Sequence, residues 1–169
     1  MLMHNTNTTA IKSMFQWDVM AIIVTVFFNV IMVSCIWSAF KSSIVILEII
    51  ALSMTIPFVL FVPLRLIVTE DMIKIWRPIG VVNIDMKEIL SCSIIENDES
   101  FFNKVVRTFG SGGLYGYWGY FRHDDYGKMK FYVTHKKQCL RIKLKNGKHY
   151  VISSPKREKI VAFIQVNIK

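Results

Sequence analysis

The sequence predicts an α+β chain: a two-helix transmembrane hairpin, then a small barrel of about seven antiparallel strands, then a C-terminal capping helix. Three observations carry this. Two apolar runs, residues 19–40 and 44–62, are separated only by Lys41-Ser42-Ser43. From Leu64 onward the pattern changes to short apolar runs with turn signals about every ten residues. The last segment repeats Ile160, Phe163, Ile164 and Ile168 at helical spacing.

Composition supports the division. With 53% hydrophobic residues in 169, the chain has room for one ordinary domain plus a lipid-facing segment. Of its 21 Lys and Arg and 12 Asp and Glu, two of each lie in the first 64 residues, so the net charge of +9 belongs to the remainder. That balance favours anionic partners such as lipid headgroups, nucleic acid or acidic protein surfaces. Cys35, Cys92 and Cys139 have no metal-ligand spacing, and His4, His123, His135 and His149 are scattered. Neither a disulfide framework, a zinc site nor a cofactor is expected.

The expected boundaries are a tail over 1–16, the hairpin over 17–63 and the strand-rich domain over 64–169. Residues 19–40 carry no charge between Asp18 and Lys41, and at about 1.5 Å per residue they reach about 33 Å, enough to cross a bilayer. The run is too long for the apolar core of a signal peptide, and no small-x-small cleavage site follows it. The short break forces the two helices antiparallel. Glu48 lies near enough to an interface to snorkel, and Pro57 predicts a mild kink. Thr25 and Asn29 give the first helix a polar stripe, expected to bond to the second helix. Lys12, Arg65, Lys74 and Arg77 flank the side of both termini while only Lys41 flanks the hairpin tip, which predicts a two-pass cell-membrane protein with its termini and basic domain in the cytoplasm.

Strands are expected over 65–69 and 72–76, around the turn Glu70-Asp71, and over 80–84 and 89–96, around Asp85-Met86-Lys87-Glu88. Further on, Lys136-Lys137 and Asn146-Gly147 read as two-residue hairpin turns. That register sets Val133 against Leu140, Phe131 against Ile142, Met129 against Leu144, and Ile142 against Val151. The opposite face then collects Lys128, Lys130 and Tyr132 beside Arg141, Lys143 and Lys145, beside Lys148 and Tyr150. Lys130 opposite Lys143 and Lys128 opposite Lys145 would cost a few tenths of a kcal/mol or more per pair. Such a face is either a solvated one that discourages edge association or a binding surface for anions, lipid or an acidic partner. Ser154 as N-cap and Pro155 at the first helical position open the closing helix.

Residues 109–121 hold five of the eight glycines, with Tyr115, Tyr117, Trp118 and Tyr120 between them. No Gly-Lys-Ser or Gly-Lys-Thr follows, so this is not a nucleotide loop. Either the aromatics plug the mouth of the barrel, or Tyr115, Tyr117, Trp118 and Tyr120 sit at the headgroup level of the membrane.

The run Arg107-Thr108-Phe109-Gly110-Ser111-Gly112-Gly113-Leu114-Tyr115-Gly116-Tyr117-Trp118-Gly119-Tyr120-Phe121, with the basic strands after it and Tyr150-Val151-Ile152-Ser153-Ser154-Pro155 leading into the last helix, resembles the bacterial pleckstrin-homology-like (PH-like) domains found behind transmembrane hairpins. The resemblance runs from Leu64 to the C-terminus. It implies a two-sheet, seven-stranded PH-like barrel capped by a helix, but little chemistry. The phosphoinositide role of eukaryotic relatives is not carried over, because the basic residues here lie on later strands than the first hairpin.

Function is therefore expected to be non-enzymatic: a membrane-anchored binding or scaffolding module presenting the basic face and aromatic loop to anionic headgroups or an acidic protein. The alternative is an accessory subunit of a membrane assembly, homo-oligomerising through the hairpin or a sheet edge. His123-Asp124-Asp125 is the only acid/base cluster and reads as a turn into the next strand. Nucleic acid is not an expected partner, since no DNA- or RNA-binding motif is present.

Overall fold

The structure is a computed structural model and describes residues 10–42, 46, 50, 53, 56, 58–96 and 98–168. Helix α1 spans Val19–Ser42. Asp18 starts it, its carbonyl accepting the Ile22 N–H at 3.0 Å and its carboxylate the Met20 N–H at 3.4 Å. Among the described residues, α1 is the one helix long and apolar enough to cross a membrane, over Val19–Ser38. In the second apolar run, Ile46, Ile50, Ser53, Ile56 and residues 58–60 are helical. Only one membrane-length helix is therefore established where two were expected, and Glu48 and Pro57 lie outside the described residues.

Among the described residues ten strands run in chain order: β1 Ile11–Met14, β2 Arg65–Val68, β3 Met72–Trp76, β4 Val81–Asp85, β5 Ile89–Ile94, β6 Val105–Gly113, β7 Gly116–His123, β8 Gly127–Val133, β9 Cys139–Leu144 and β10 His149–Ser153. They form a four-stranded antiparallel sheet, β1-β2-β3-β4, and a six-stranded sheet, β5-β9-β10-β8-β7-β6. Among the described residues these are two open sheets, not the closed seven-stranded barrel expected. Two short elements complete the chain, helix α2 at Asp98–Asn103 and helix α3 at Arg157–Asn167.

The four strands expected before the glycine run appear where alternation placed them. Leu66 and Val68 on β2, Ile73 and Ile75 on β3, and Ile84 on β4 all point inward and are buried. They pack on Ile89, Cys92, Leu140, Ile142, Leu144, Tyr132 and Ile152 of the larger sheet, and Ile160, Val161 and Ile164 of α3 close one end. A second core lies on the far face of the larger sheet, where Phe101 and Phe102 of α2 cover Phe121, Met129, Phe131, Val133 and Val151. The C-terminal end of β8, inside the larger sheet, has both faces covered, so Phe131, Tyr132 and Val133 are buried in succession.

Four expectations are corrected here. Residues Ile11–Met14 of the expected tail form a strand paired to β2, and Phe15 enters the core. Lys136-Lys137 is not a hairpin turn. Neither lysine takes the positive φ that a two-residue hairpin favours, and the segment instead crosses over through a short 3-10 turn at Lys136–Gln138. Strand β10 then inserts between β8 and β9, antiparallel to β9 and parallel to β8. The Asn146-Gly147 turn is one residue longer than expected. Gly147, at φ +79°, donates its N–H to Leu144 O at 3.0 Å while Leu144 N–H bonds to Lys148 O at 2.9 Å, leaving Lys145, Asn146 and Gly147 as the loop. That single residue moves Ile142 from Val151 to Tyr150. Finally, Ser154 is not the N-cap and Pro155 is not the first helical residue: α3 begins at Arg157 after Lys156, and Ser154 Oγ instead accepts the Lys156 N–H at 3.1 Å in the turn before it.

Candidate functional site

The corrected register decides which side chains share a face. On β7 and β8, Trp118 pairs with Tyr132, Tyr120 with Lys130, and Arg122 with Lys128. On β8 and β10, Lys130 pairs with Tyr150 and Tyr132 with Ile152. Directly paired residues project from the same side of a sheet. The face therefore unites Trp118 and Tyr120 of the glycine-aromatic run with Lys128, Lys130, Tyr132 and Tyr150 of the later strands. Lys130 Nζ lies 5.4 Å from the Tyr120 ring centre and 5.7 Å from that of Tyr132, and Tyr132 stacks on Tyr150 at 6.5 Å.

Two adjoining hollows open on this face. An outer one of about 250 Å³ is lined by Tyr120, Lys128, Lys130, Lys148 and Tyr150, together with Met129 and His149. An inner one of about 170 Å³ lies where the face meets Phe61, beside Arg77, Phe109, Trp118 and Tyr132. Tyr120 and Lys130 belong to both. Trp118 is buried, 5.7 Å from the ring of Phe58 and 5.6 Å from that of Phe61, and the Arg77 guanidinium sits 5.4 Å over Phe61. Burial raises the Tyr132 hydroxyl well above its ordinary value despite the opposing charge of Arg77, and burial raises Tyr150 as well. Both phenols are neutral donors at physiological pH.

Residues 64–168 match the bacterial PH domain family. The chain belongs to that family. No curated protein and no solved structure matches the chain at a significant level.

The remaining expected site residues of the PH domain lie elsewhere. Arg141 pairs with Val151 and Lys143 with His149, which puts both on the opposite face, and Lys145 is in the β9–β10 turn. The single basic surface of six cations is thus split between two faces and a turn. Arg141 lies 3.9 Å over the Tyr126 ring and lines a separate hollow of about 240 Å³ with Lys104, His123 and Asp125. Of that hollow's charges, Lys104 and Asp125 pair at 3.0 Å. His123 Nδ1 accepts the Asp125 N–H at 3.0 Å, so the acid/base cluster is occupied in holding its own turn. Tyr117 also faces away, with Lys136 Nζ 4.5 Å above its ring.

The glycine-aromatic run is a β-hairpin, β6 and β7, turning at Leu114-Tyr115. Gly110 and Gly119 face one another across it with φ of +111° and +117°. A Cβ on either would strike the carbonyl oxygen of Trp118 or Phe109, so the strands approach this closely only with glycine at both places. The turn reaches α1. Tyr115 N–H donates to Thr25 Oγ1 at 2.9 Å and Tyr115 O–H to Asn29 Oδ1 at 3.0 Å. The polar stripe on α1 thus holds the hairpin of the PH domain, where a bond to a second helix was expected.

Among the described residues, no three His, Cys, Asp or Glu are grouped to hold a metal. Cys92 is buried, its thiol pushed up to about 12 by burial, which leaves it an inert core residue. Sequence reasoning missed Arg77, read only as a topology-setting charge, and the walls at Phe58 and Phe61. The one sequence signal for them was an Arg-Pro step, Arg77-Pro78, at the end of the second strand after an apolar run.

Proposed function

We propose that the chain is a membrane-anchored, non-enzymatic PH module that presents the Tyr120, Lys128, Lys130, Lys148 and Tyr150 face to anionic lipid headgroups. The carrying observation is that this cationic and aromatic face adjoins Phe61, at the end of the second apolar run. In this reading α1 and the second run cross the bilayer with both termini and the PH domain in the cytoplasm. Each Lys or Arg near an anionic surface contributes about 1 kcal/mol, and aromatic rings favour the headgroup level. The bonds of Tyr115 to α1 support a PH domain held fast against its anchor, so that its face meets the membrane without an added search cost.

The test uses the full chain in neutral detergent with added phosphatidylglycerol or phosphatidylcholine. A rise in unfolding temperature with phosphatidylglycerol that shrinks as salt is raised, and that is lost in the double variant Lys128→Glu, Lys148→Glu, is the expected result. Equal shifts with both lipids, unaltered by the substitutions, would refute the proposal. A discrete oligomer persisting in that case would favour the accessory-subunit alternative.

A further inference from the structure

Three buried polar atoms around the inner hollow, Arg77 Nε, Trp118 Nε1 and Tyr132 Oη, have no hydrogen-bond partner among the described residues. Trp118 is 7% exposed and Tyr132 2%. Leaving one such group unsatisfied is costly, and three around one hollow are far from the ordinary condition of a folded interior. All three can donate, and two of them can only donate. Lys130 adds a fourth donor at the entrance, and no Asp or Glu among the described residues lines the hollow.

A doubly cationic set of converging donors of this kind complements an oxyanion. Arginine and the indole N–H hold fixed directions, so the set is organised before any ligand arrives. The walls are apolar, with Phe61 and Trp118 inside and Phe109 and Tyr120 at the rim, exposed by 70% and 52%. A free ion would not need such a rim, whereas a phosphate carrying acyl chains would rest them on it.

We infer that the inner hollow binds a phosphate oxyanion, with Arg77, Trp118 and Tyr132 as its donors and Lys130 as the entrance cation. This rests on the proposed lipid-facing role and makes it specific: the outer face attracts anionic lipid by charge, and the inner hollow grips one phosphate by hydrogen bonds.

The test is native mass spectrometry of the full chain in neutral detergent, titrated separately with phosphatidylglycerol and with inorganic phosphate. The expected result is one retained phosphatidylglycerol per chain, with Trp118→Phe and Tyr132→Phe each weakening it about tenfold. Tyr132→Phe keeps the ring and removes only the donor, whereas Trp118→Phe also trims the buried indole to a phenyl ring. Tyr132→Phe should not lower the unfolding temperature of the lipid-free protein, whereas a merely structural role for its hydroxyl would. Arg77→Gln should weaken binding further. Competition by inorganic phosphate would assign the site to the phosphate group alone, and lack of competition would assign it to phosphate borne on lipid; either supports an oxyanion site. Unchanged retention in all three variants would overturn the inference. If the Lys128 and Lys148 reversals still abolish lipid stabilisation in that case, only the inner site falls, and if the wild-type chain retains neither probe, both readings fall.

Discussion

Tyr115 and Asn29, 86 positions apart, are joined by a hydrogen bond of 3.0 Å that ties the tip of a β-hairpin to the side of an apolar helix. Asn29 completes the link by donating Nδ2–H to Thr25 O at 2.6 Å, and Thr25 Oγ1 in turn accepts the Tyr115 N–H. Asn29 lies ten residues into α1, which at 1.5 Å per residue is about 15 Å along its axis.

This bond predicts a measurable coupling. Tyr115→Phe and Asn29→Leu, alone and together in a double-mutant cycle of detergent unfolding, should give about 0.5–1.5 kcal/mol of interaction energy. If α1 spans a bilayer, a fluorophore at Leu114 should also be quenched by lipids carrying a quencher deep on the acyl chain. Strict additivity in the cycle would mean that the hairpin is not held by this contact.

Substitution at the glycines should separate crowding from backbone strain. Gly127→Ala places a Cβ in open space at φ +71° and should cost about 1–2 kcal/mol. Gly110→Ala meets the Trp118 carbonyl in addition, so chemical denaturation should show a loss larger by about 2 kcal/mol. Equal losses would contradict the close approach of β6 to β7.

Stability should fall as pH drops below neutrality. Burial lowers the pKa of His123, with Asp125 opposing and Lys104 and Arg141 reinforcing, and burial followed by Arg141 and Lys143 lowers that of His149. Between the folded values and the unfolded value of about 6.5 the unfolded chain binds more protons, so stability is fully present above about 6.5 and is lost as pH falls through it. Unfolding temperatures at pH 7.5 and 5.5 should differ, and the double variant His123→Gln, His149→Gln should reduce the difference.

The N-terminal segment should be essential to the PH domain. Ser13 Oγ meets Ser154 Oγ at 2.8 Å in a buried contact, and Phe15 packs in the main core. Phe15→Ala should cost about 3–5 kcal/mol, and a chain beginning at residue 64 should unfold more readily than the full chain by circular dichroism.

What the sequence made legible was local. Glu70-Asp71 and the alternation of Leu66, Val68, Ile73 and Ile75 placed β2 and β3 correctly because turn chemistry and side-chain period are written in neighbouring residues. The family likeness was also visible, in the glycine-aromatic run. The face was less so. Adding Lys145 to the turn reversed the side on which Arg141 and Lys143 emerge, and the insertion of β10 beside β8 depends on long-range pairing that no short motif encodes. Arg77 and Trp118 meet only after folding, 41 positions apart, so the inner hollow had no signature in the sequence.

The most direct measurement is photo-crosslinking of the full chain, reconstituted in vesicles, by phosphatidylglycerol bearing a photoreactive headgroup, followed by peptide mapping. Adducts on β7 and β8 around Trp118, Tyr120 and Lys130 are predicted, and they should vanish in Lys130→Glu, which alters both hollows. Adducts confined to the Arg141 and Lys143 face, or spread evenly over the domain and unaffected by Lys130→Glu, would contradict the account.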